Sequence, residues 1–249
     1  MFYVPYNDAT WEGLRLKLSV IIPIYNEYNN IDEVISRINA VKMPRDVSEL
    51  QLILVDDGSV DGTTEKLEKY KDEKTMVVHE SRINFGKGTA TRIGLTYATG
   101  DLVLIQDADL EYDPNDYPKL LEPVLNNGAE VVFGSRFLGK KSRLEGMALK
   151  NWFINIFLRI MTNTLYGSKI TDEATAYKLF KTDILKEINL KSKRFEFCPE
   201  VTAKVLKRGH KIHEVPISYK GRTVEEGKKI KWQDGIEAIW TLLKYRFVN

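Results

Sequence analysis

The stretch LSVIIPIYNEYNNIDEVISRINA, residues 18–40, decides the fold because it joins a strand to a helix through a short polar turn. Its first part, 18–24, is almost wholly apolar, which is typical of a strand that is buried on both faces. After Asn30, apolar side chains recur at helical spacing, and Glu33 stands where a capping box requires an acid. The stretch therefore predicts a strand followed by a capped helix.

The same alternation continues as far as residue 133. Apolar runs at 50–55, 76–79, 102–105 and 130–133 are separated by helix-forming segments. This order predicts an α/β fold, in which a mainly parallel sheet is flanked by helices on both faces. In such sheets, ligands bind beyond the carboxyl ends of the strands.

The pattern changes beyond residue 139. The expected elements are helices at 149–165, 199–207 and 234–245 and strands at 176–180 and 211–219. No stretch with the composition of a linker separates the two halves. We therefore expect one domain over 18–249, preceded by an N-terminal extension, 1–17.

The composition excludes several classes of protein. With 37 Lys and Arg against 35 Asp and Glu, the formal net charge is +2, which gives no reason to expect a nucleic-acid partner. A single cysteine, Cys198, excludes an intramolecular disulfide framework. No run approaches the roughly 20 apolar residues of a membrane span, and the first residues lack the apolar core of a secretory signal. We expect a cytoplasmic protein.

Acidic residues follow two of the predicted strands. The turn at 56–62 is rich in Asp and Gly, a composition that is also typical of a plain turn with a helix cap. Asp107 and Asp109 follow the run at 102–105, and Glu111 comes two residues later. Residues two apart in an extended segment project to the same side, and adjacent carboxylates repel each other unless a cation lies between them. These three residues therefore predict a site for Mg²⁺ or Mn²⁺ shared with a diphosphate.

Two further segments are candidates for contact with phosphate. The glycine-rich stretch 84–90 matches neither a dinucleotide fingerprint nor a P-loop, so it is either a tight turn or an anion site made of backbone N–H groups. Residues 204–231 hold nine Lys and Arg against three Glu. That run is either a solvated face or, from 219 to 229, a cationic flap over phosphates.

Six motifs occur in order along the chain: PIYNE at 23–27, DDGSVDG at 56–62, NFGKG at 84–88, DADL at 107–110, SRF at 135–137 and VPISY at 215–219. Together they resemble the inverting family-2 glycosyltransferases, which have the Rossmann-like GT-A nucleotide-diphospho-sugar transferase fold. More narrowly, they are similar to the dolichol-phosphate mannose synthase-like branch, which loads a sugar onto a polyprenyl phosphate. The resemblance implies a nucleotide-sugar-binding half, 18–139, and an acceptor-binding half, 140–249.

The resemblance also implies the roles of single residues. Asp109 is the principal ligand of the metal ion, assisted by Asp107 and Glu111, although the synthases commonly have Gln at the position of Glu111. Because a glycine falls later here than in the synthases, Lys229 is an alternative to Lys228. The implied donor-binding residues are Pro23, Tyr25, Glu27, Asp56, Asp107, Ala108, Asp109, Arg222 and Lys228.

The implied reaction moves a hexose to a polyprenyl or dolichyl phosphate that Arg136 positions. The donor that we expect first is GDP-mannose, which would supply mannose as the transferred sugar. UDP-glucose is the second candidate donor. A glycan hydroxyl acceptor would instead need a general base, for which Asp172 and Glu173 are candidates, although both are equally typical of a capped turn. The remaining alternative is a catalytically silent module that binds sugar nucleotides.

Two predicted helices bear on the acceptor. The helix at 149–165 has a broad apolar face, and the helix at 234–245 has a second one. Such faces are typical either of core packing or of docking at a membrane interface. With a lipid acceptor implied, we expect peripheral contact with the cytoplasmic face of a membrane.

Overall fold

The computed structural model describes residues 15–139, 147, 149–222 and 232–248. These residues form one sheet with the spatial order β3-β2-β1-β4-β6-β5-β7. Its strands are β1 (Leu16–Ile24), β2 (Val47–Asp56), β3 (Met76–Glu80), β4 (Leu102–Ile105), β5 (Val131–Ser135), β6 (Lys178–Lys181) and β7 (Ile212–Pro216).

Helices alternate with these strands along the chain. They are α1 (Ile31–Asn39), α2 (Thr63–Leu67), α3 (Lys87–Tyr97), α4 (Tyr117–Asn127), α5 (Leu149–Tyr166), α6 (Thr182–Glu187), α7 (Phe197–Lys207) and α8 (Trp232–Phe247). The predicted α/β architecture is therefore confirmed. No helix in these described ranges has both the length and the apolar character needed to cross a bilayer.

The sheet is parallel except at one strand. β6 lies between β4 and β5 and runs antiparallel to both of them. The pairs β1–β2, β1–β4, β2–β3 and β5–β7 are parallel. Because β4 and β5 are both antiparallel to β6, they point the same way, and the carboxyl ends of β1, β2, β4, β5 and β7 share one edge.

The sheet is covered on both faces. Successive residues of β1 alternate between two cores: Val20 and Ile22 belong to one, and Ile21 belongs to the other. Helix α3 packs very close to β1, since a Cβ at Gly94 would overlap with Cγ2 of Ile21. A third cluster joins α5, α7 and α8 through Leu158 and its neighbours.

Two local predictions fail for identifiable reasons. The capping box of α1 is wrong: Asn30 makes no side-chain cap, its Nδ2 donates to Glu27, and Glu33 pairs with Arg37 instead. The last strand ends at Pro216, three residues earlier than predicted. The chain then leaves the sheet at its carboxyl edge, where Tyr219 forms an isolated bridge with Tyr112.

Candidate active site

A cavity of about 700 Å³ lies at the carboxyl edge of the sheet. Asp56 and Asp172 are almost completely buried, and Lys228 and Lys229 lie outside the described residues. The predicted site residues that line the cavity are Pro23, Tyr25, Glu27, Asp107, Ala108, Asp109, Glu111, Arg136, Glu173 and Arg222.

Carboxylates gather at one end of the cavity, where β4 ends. Asp107 forms an ion pair with Lys87 at the start of α3. Asp109 pairs with Arg222 (Oδ2 to Nη2, 3.1 Å), and its other oxygen accepts the backbone N–H of Glu111. Burial raises the pKa of Asp109 to about 7, and the negative charges of Asp107 and Glu111 act in the same direction. Among the described residues, this end of the cavity therefore holds more carboxylates than cations.

Glu111 ties the β4 end to the segment that follows β7. One of its carboxylate oxygens accepts the hydroxyl proton of Tyr219 at 2.8 Å, and the other accepts the backbone N–H of Arg222, also at 2.8 Å. The Arg222 guanidinium then reaches both Asp109 and Glu27, with Nη2 at 3.3 Å from Glu27 Oε1. The described start of the predicted cationic flap, 219–222, thus lies at the acidic end of the cavity.

The composition of this end fits a divalent cation shared with a phosphate. In the part of the chain that the structure describes, four carboxylates form ion pairs with two cations, Lys87 and Arg222; the carboxylates are those of Glu27, Asp107, Asp109 and Glu111. Within the described ranges, no three acidic, His or Cys side chains converge as a complete metal cage. Mg²⁺ is usually held by one or two carboxylates together with substrate phosphates and water, so an incomplete cage agrees with such an ion.

Arg136, at the end of β5, is held in place by Asp172. Its Nε and Nη2 donate to the two oxygens of Asp172, both at 2.7 Å, and its backbone N–H donates to the same carboxylate. The Asp172 side chain is fully buried. Glu214 of β7 in turn accepts the backbone N–H groups of Thr171 and Asp172. The geometry of Asp172 is that of an anchor for Arg136, and its predicted role as a base stays untested.

The first two aspartates of the DDGSVDG motif, Asp56 and Asp57, have different environments in the structure, which the sequence alone did not distinguish. Asp56 is buried and accepts from Ser59 and Thr64 at the end of β2. Asp57 lines the cavity, and its carboxylate accepts the backbone N–H groups of Phe85 and Gly86 at 2.9 and 2.6 Å. These amides of the glycine-rich stretch thus bind a carboxylate of the protein, as the tight-turn interpretation requires.

The other end of the cavity is partly apolar. Its lining includes Ile154 and Leu158 of α5 and Ala238 of α8, together with the polar residues Asn151, Asn155 and Asp234 of the same helices. Asn155 of α5 accepts from Arg136 Nη2 at 3.3 Å, which places the arginine beside this apolar end. The cavity therefore joins an acidic region to a partly apolar region, and Arg136 lies where the two meet.

Three curated relatives have similar sequences. A dodecaprenyl-phosphate galacturonate synthase of Rhizobium johnstonii is 29% identical over 83% of this chain and 60% of its own length. A dolichol-phosphate mannosyltransferase of Pyrococcus furiosus is 28% identical over 90% of this chain and 66% of its own. A UDP-N-acetylglucosamine–dolichyl-phosphate N-acetylglucosaminyltransferase of Methanococcus voltae is 29% identical, with coverages of 80% and 83%. The chain thus spans less than two thirds of the length of the first two relatives.

A solved structure has the same fold. A glucosyl-3-phosphoglycerate synthase from Mycobacterium tuberculosis, crystallised with Mn²⁺, uridine diphosphate and phosphoglyceric acid, superposes with a TM-score of 0.70. The superposition covers 97% of this chain and 81% of that one, at 19% sequence identity. The predicted GT-A fold is confirmed.

The family is shown by a match over most of the chain. The model described as glycosyl transferase family 2 matches residues 19–189. This span includes the PIYNE and DADL motifs as well as Arg136 and Asp172. The names of the three relatives agree with the narrower polyprenyl-phosphate branch that the motifs resemble. This chain belongs to glycosyl transferase family 2.

Proposed function

We propose that the protein transfers a hexose from a nucleotide sugar to a polyprenyl phosphate with inversion at the anomeric carbon. The observation that carries the proposal is the cavity with two unlike ends and Arg136 between them. An acidic end suits a metal-bound diphosphate, an arginine suits a second phosphate, and an apolar end suits a hydrocarbon chain. The relatives' names, which all contain a polyprenyl or dolichyl phosphate, support this assignment.

The donor diphosphate is assigned to the acidic end. Asp109, assisted by Asp107, would hold Mg²⁺ or Mn²⁺; both ions occur with uridine diphosphate in solved structures that share the fold. When bound, the ion would offset the negative charge that develops on the departing nucleoside diphosphate. Arg222 adds a positive charge of the protein's own at the same place.

The acceptor phosphate is assigned to Arg136. A phosphate monoester is already largely anionic near neutral pH, so it requires positioning more than deprotonation. Asp172 engages Nε and Nη2, and we assign the phosphate to Nη1. A hydroxyl acceptor would need a base, and Asp172 could serve as one only by releasing Arg136. The ion pair therefore favours the phosphate acceptor over the glycan alternative.

The outer faces of α5 and α8 are the proposed contact with the membrane. The two helices pack together, and Tyr166 of α5 donates to the carbonyl of Leu242 in α8. Other residues of these helices line the apolar end of the cavity. The two helices also carry exposed basic residues, such as Lys150 and Arg246. This arrangement suits contact with an anionic lipid surface beside the apolar end of the cavity, where the hydrocarbon chain of the acceptor is proposed to bind. The exposed apolar side chains of these faces are Leu149, Phe153, Phe157, Ile160, Ile236, Trp240, Leu243 and Phe247.

Replacing Phe153, Phe157 and Trp240 together with Ser is expected to weaken vesicle binding at least ~10-fold, because these side chains would no longer enter the interface. The measurement is co-sedimentation with vesicles that contain anionic lipid. A control variant carries Val60→Ser and Ile83→Ser, two exposed apolar residues outside α5 and α8. Equal binding by both variants, or a wild-type protein that does not bind vesicles, would contradict the docking surface.

The experiment that tests the function is a donor panel. Radiolabelled GDP-mannose, UDP-glucose and other nucleotide sugars are incubated with Mg²⁺ or Mn²⁺, with and without undecaprenyl or dolichyl phosphate. We expect lipid-dependent label in the organic phase, with GDP-mannose as the first candidate donor. Label that passes only to a water-soluble acceptor would favour the glycan alternative, and no turnover of any donor would favour the silent binding module.

A further inference from the structure

Most of the Arg136 guanidinium is already bound within the protein. Its Nε donates to Asp172, and its Nη2 donates both to Asp172 and to Asn155 of α5. The third nitrogen, Nη1, makes no hydrogen bond to another described residue, and it is not one of the enclosed side-chain atoms that lack a partner. Nη1 is therefore the nitrogen of this arginine that stays open to a ligand in the cavity.

One arginine nitrogen does not complete a site for a phosphate monoester. Such a group carries three strong acceptor oxygens, whereas Nη1 has two N–H groups to donate. In addition, the buried carboxylate of Asp172 offsets the positive charge of Arg136. A firmly held acceptor phosphate therefore requires a further donor on the same wall of the cavity.

Asn151 of α5 lies where such a donor is required. It precedes Asn155 by one helical turn, so the two side chains share one face of α5, with their Cβ atoms about 5–6 Å apart. Both residues line the cavity, and Nδ2 of Asn155 donates to the backbone carbonyl of Asn151 at 2.7 Å. Because Oδ1 of Asn155 also accepts from Arg136 at 3.3 Å, Asn151 is about one helical turn from the guanidinium.

The side-chain amide of Asn151 is accessible. The residue is half-buried, and neither polar atom of its side chain is enclosed without a partner or hydrogen-bonded to another described residue. Its neighbours along the cavity wall include the apolar side chains Ile154, Leu158 and Ala238. In a pocket of this kind, the few polar groups usually fix the orientation of a ligand. The amide therefore suits the polar head of a ligand whose remainder is apolar.

We propose that the side-chain amide of Asn151 donates a hydrogen bond to the acceptor phosphate, beside the hydrogen bonds from Nη1 of Arg136. The inference rests on the proposed function and adds a binding residue to its acceptor site. Since α5 also carries part of the proposed membrane contact, this bond would hold the phosphate next to the hydrocarbon chain that is attached to it.

The test compares Asn151→Leu and Asn151→Asp with the wild type. The acceptor is undecaprenyl or dolichyl phosphate, whichever supports transfer, in nonionic detergent micelles, so that vesicle binding does not contribute. Leu has a similar branched shape without a donor, and we expect kcat/KM for the acceptor to fall at least ~10-fold. Asp keeps the shape of Asn but adds a negative charge that repels the phosphate, so we expect a loss of at least ~100-fold. The KM for the nucleotide sugar is expected to stay within about twofold in both variants.

Asn126→Leu and Asn126→Asp are the matched controls, because Asn126 is exposed in α4 and does not line the cavity. Both are expected to keep the wild-type kinetics. Asn151→Ser retains a shorter donor, so we expect it to lose less activity than Asn151→Leu. A urea unfolding curve for each variant identifies any loss that comes from unfolding.

Two results would overturn the inference and leave the proposed function intact. The first is an unchanged kcat/KM for the acceptor in Asn151→Leu, and the second is an Asn151→Asp variant that transfers as well as Asn151→Leu. A wild type that transfers no sugar to either polyprenyl phosphate would overturn the proposed function itself, and the inference with it.

Discussion

Replacing Asp109 with Asn is expected to abolish sugar transfer, by at least ~10³-fold, in a protein that remains folded. The variant removes the carboxylate that pairs with Arg222 and that is assigned to the metal ion. It keeps an oxygen to accept the backbone N–H of Glu111. Because the charges of Asp107 and Glu111 repel the Asp109 carboxylate, its removal also relieves local repulsion.

The measurement is transfer to polyprenyl phosphate, together with a urea unfolding curve for each variant. Asp113→Asn is the control, since Asp113 caps the short turn that begins at Pro114 and its side-chain hydrogen bonds to the described residues are all local. It is expected to transfer at close to the wild-type rate. More than a tenth of the wild-type rate in Asp109→Asn, or undiminished transfer in excess EDTA, would refute the metal assignment.

Replacing Arg136 with Met is expected to reduce both stability and transfer. The Asp172 carboxylate is fully buried and would lose its charged partner, and breaking one side of a buried ion pair destabilises a protein by about 3–5 kcal/mol. Transfer is expected to fall by ~10³-fold because the acceptor phosphate loses its positioning group.

A second variant separates these two effects. Changing Asp172 to Asn in the Arg136→Met background removes the unpaired buried charge, so most of the lost stability is expected to return while transfer stays absent. The measurements are urea unfolding and label in the organic phase. Recovery of transfer in the double variant would show that Arg136 serves only to neutralise Asp172, and the assigned acceptor role would be wrong.

Much of the fold follows from local sequence patterns, because apolar periodicity is a local property. The run at 102–105 coincides with β4, and the predicted helix at 149–165 differs from α5 by one residue. The antiparallel direction of β6 could not be predicted, since its pairing with β4 and β5 is decided by tertiary contacts. Helix α6 has only six residues, too few to show a helical period.

Sequence motifs predict many of the residues of the candidate site, but they do not predict which of these residues pair with each other. Asp107, Asp109, Arg136 and Arg222 stand in recognisable patterns at the strand ends, and the structure brings them to one cavity. Their partners are distant in sequence: Arg136 and Asp172 are 36 residues apart, and Arg222 and Asp109 are 113 apart. A single sequence carries no signal for such pairs. Tyr219 is part of the VPISY motif and could be found from the sequence. Its hydrogen bond to Glu111, however, could be seen only in the structure.

The double hydrogen bond of Glu111 has a consequence for how Arg222 meets its ligand. With the backbone of Arg222 fastened to the β4 end, its guanidinium is confined to a small volume around Asp109 and Glu27. If the donor diphosphate binds as proposed, the effective concentration of the guanidinium beside it is set by side-chain geometry rather than by a search through solvent. The conformational entropy of holding the arginine is then lost when the protein folds, so binding of the proposed donor would not have to supply it.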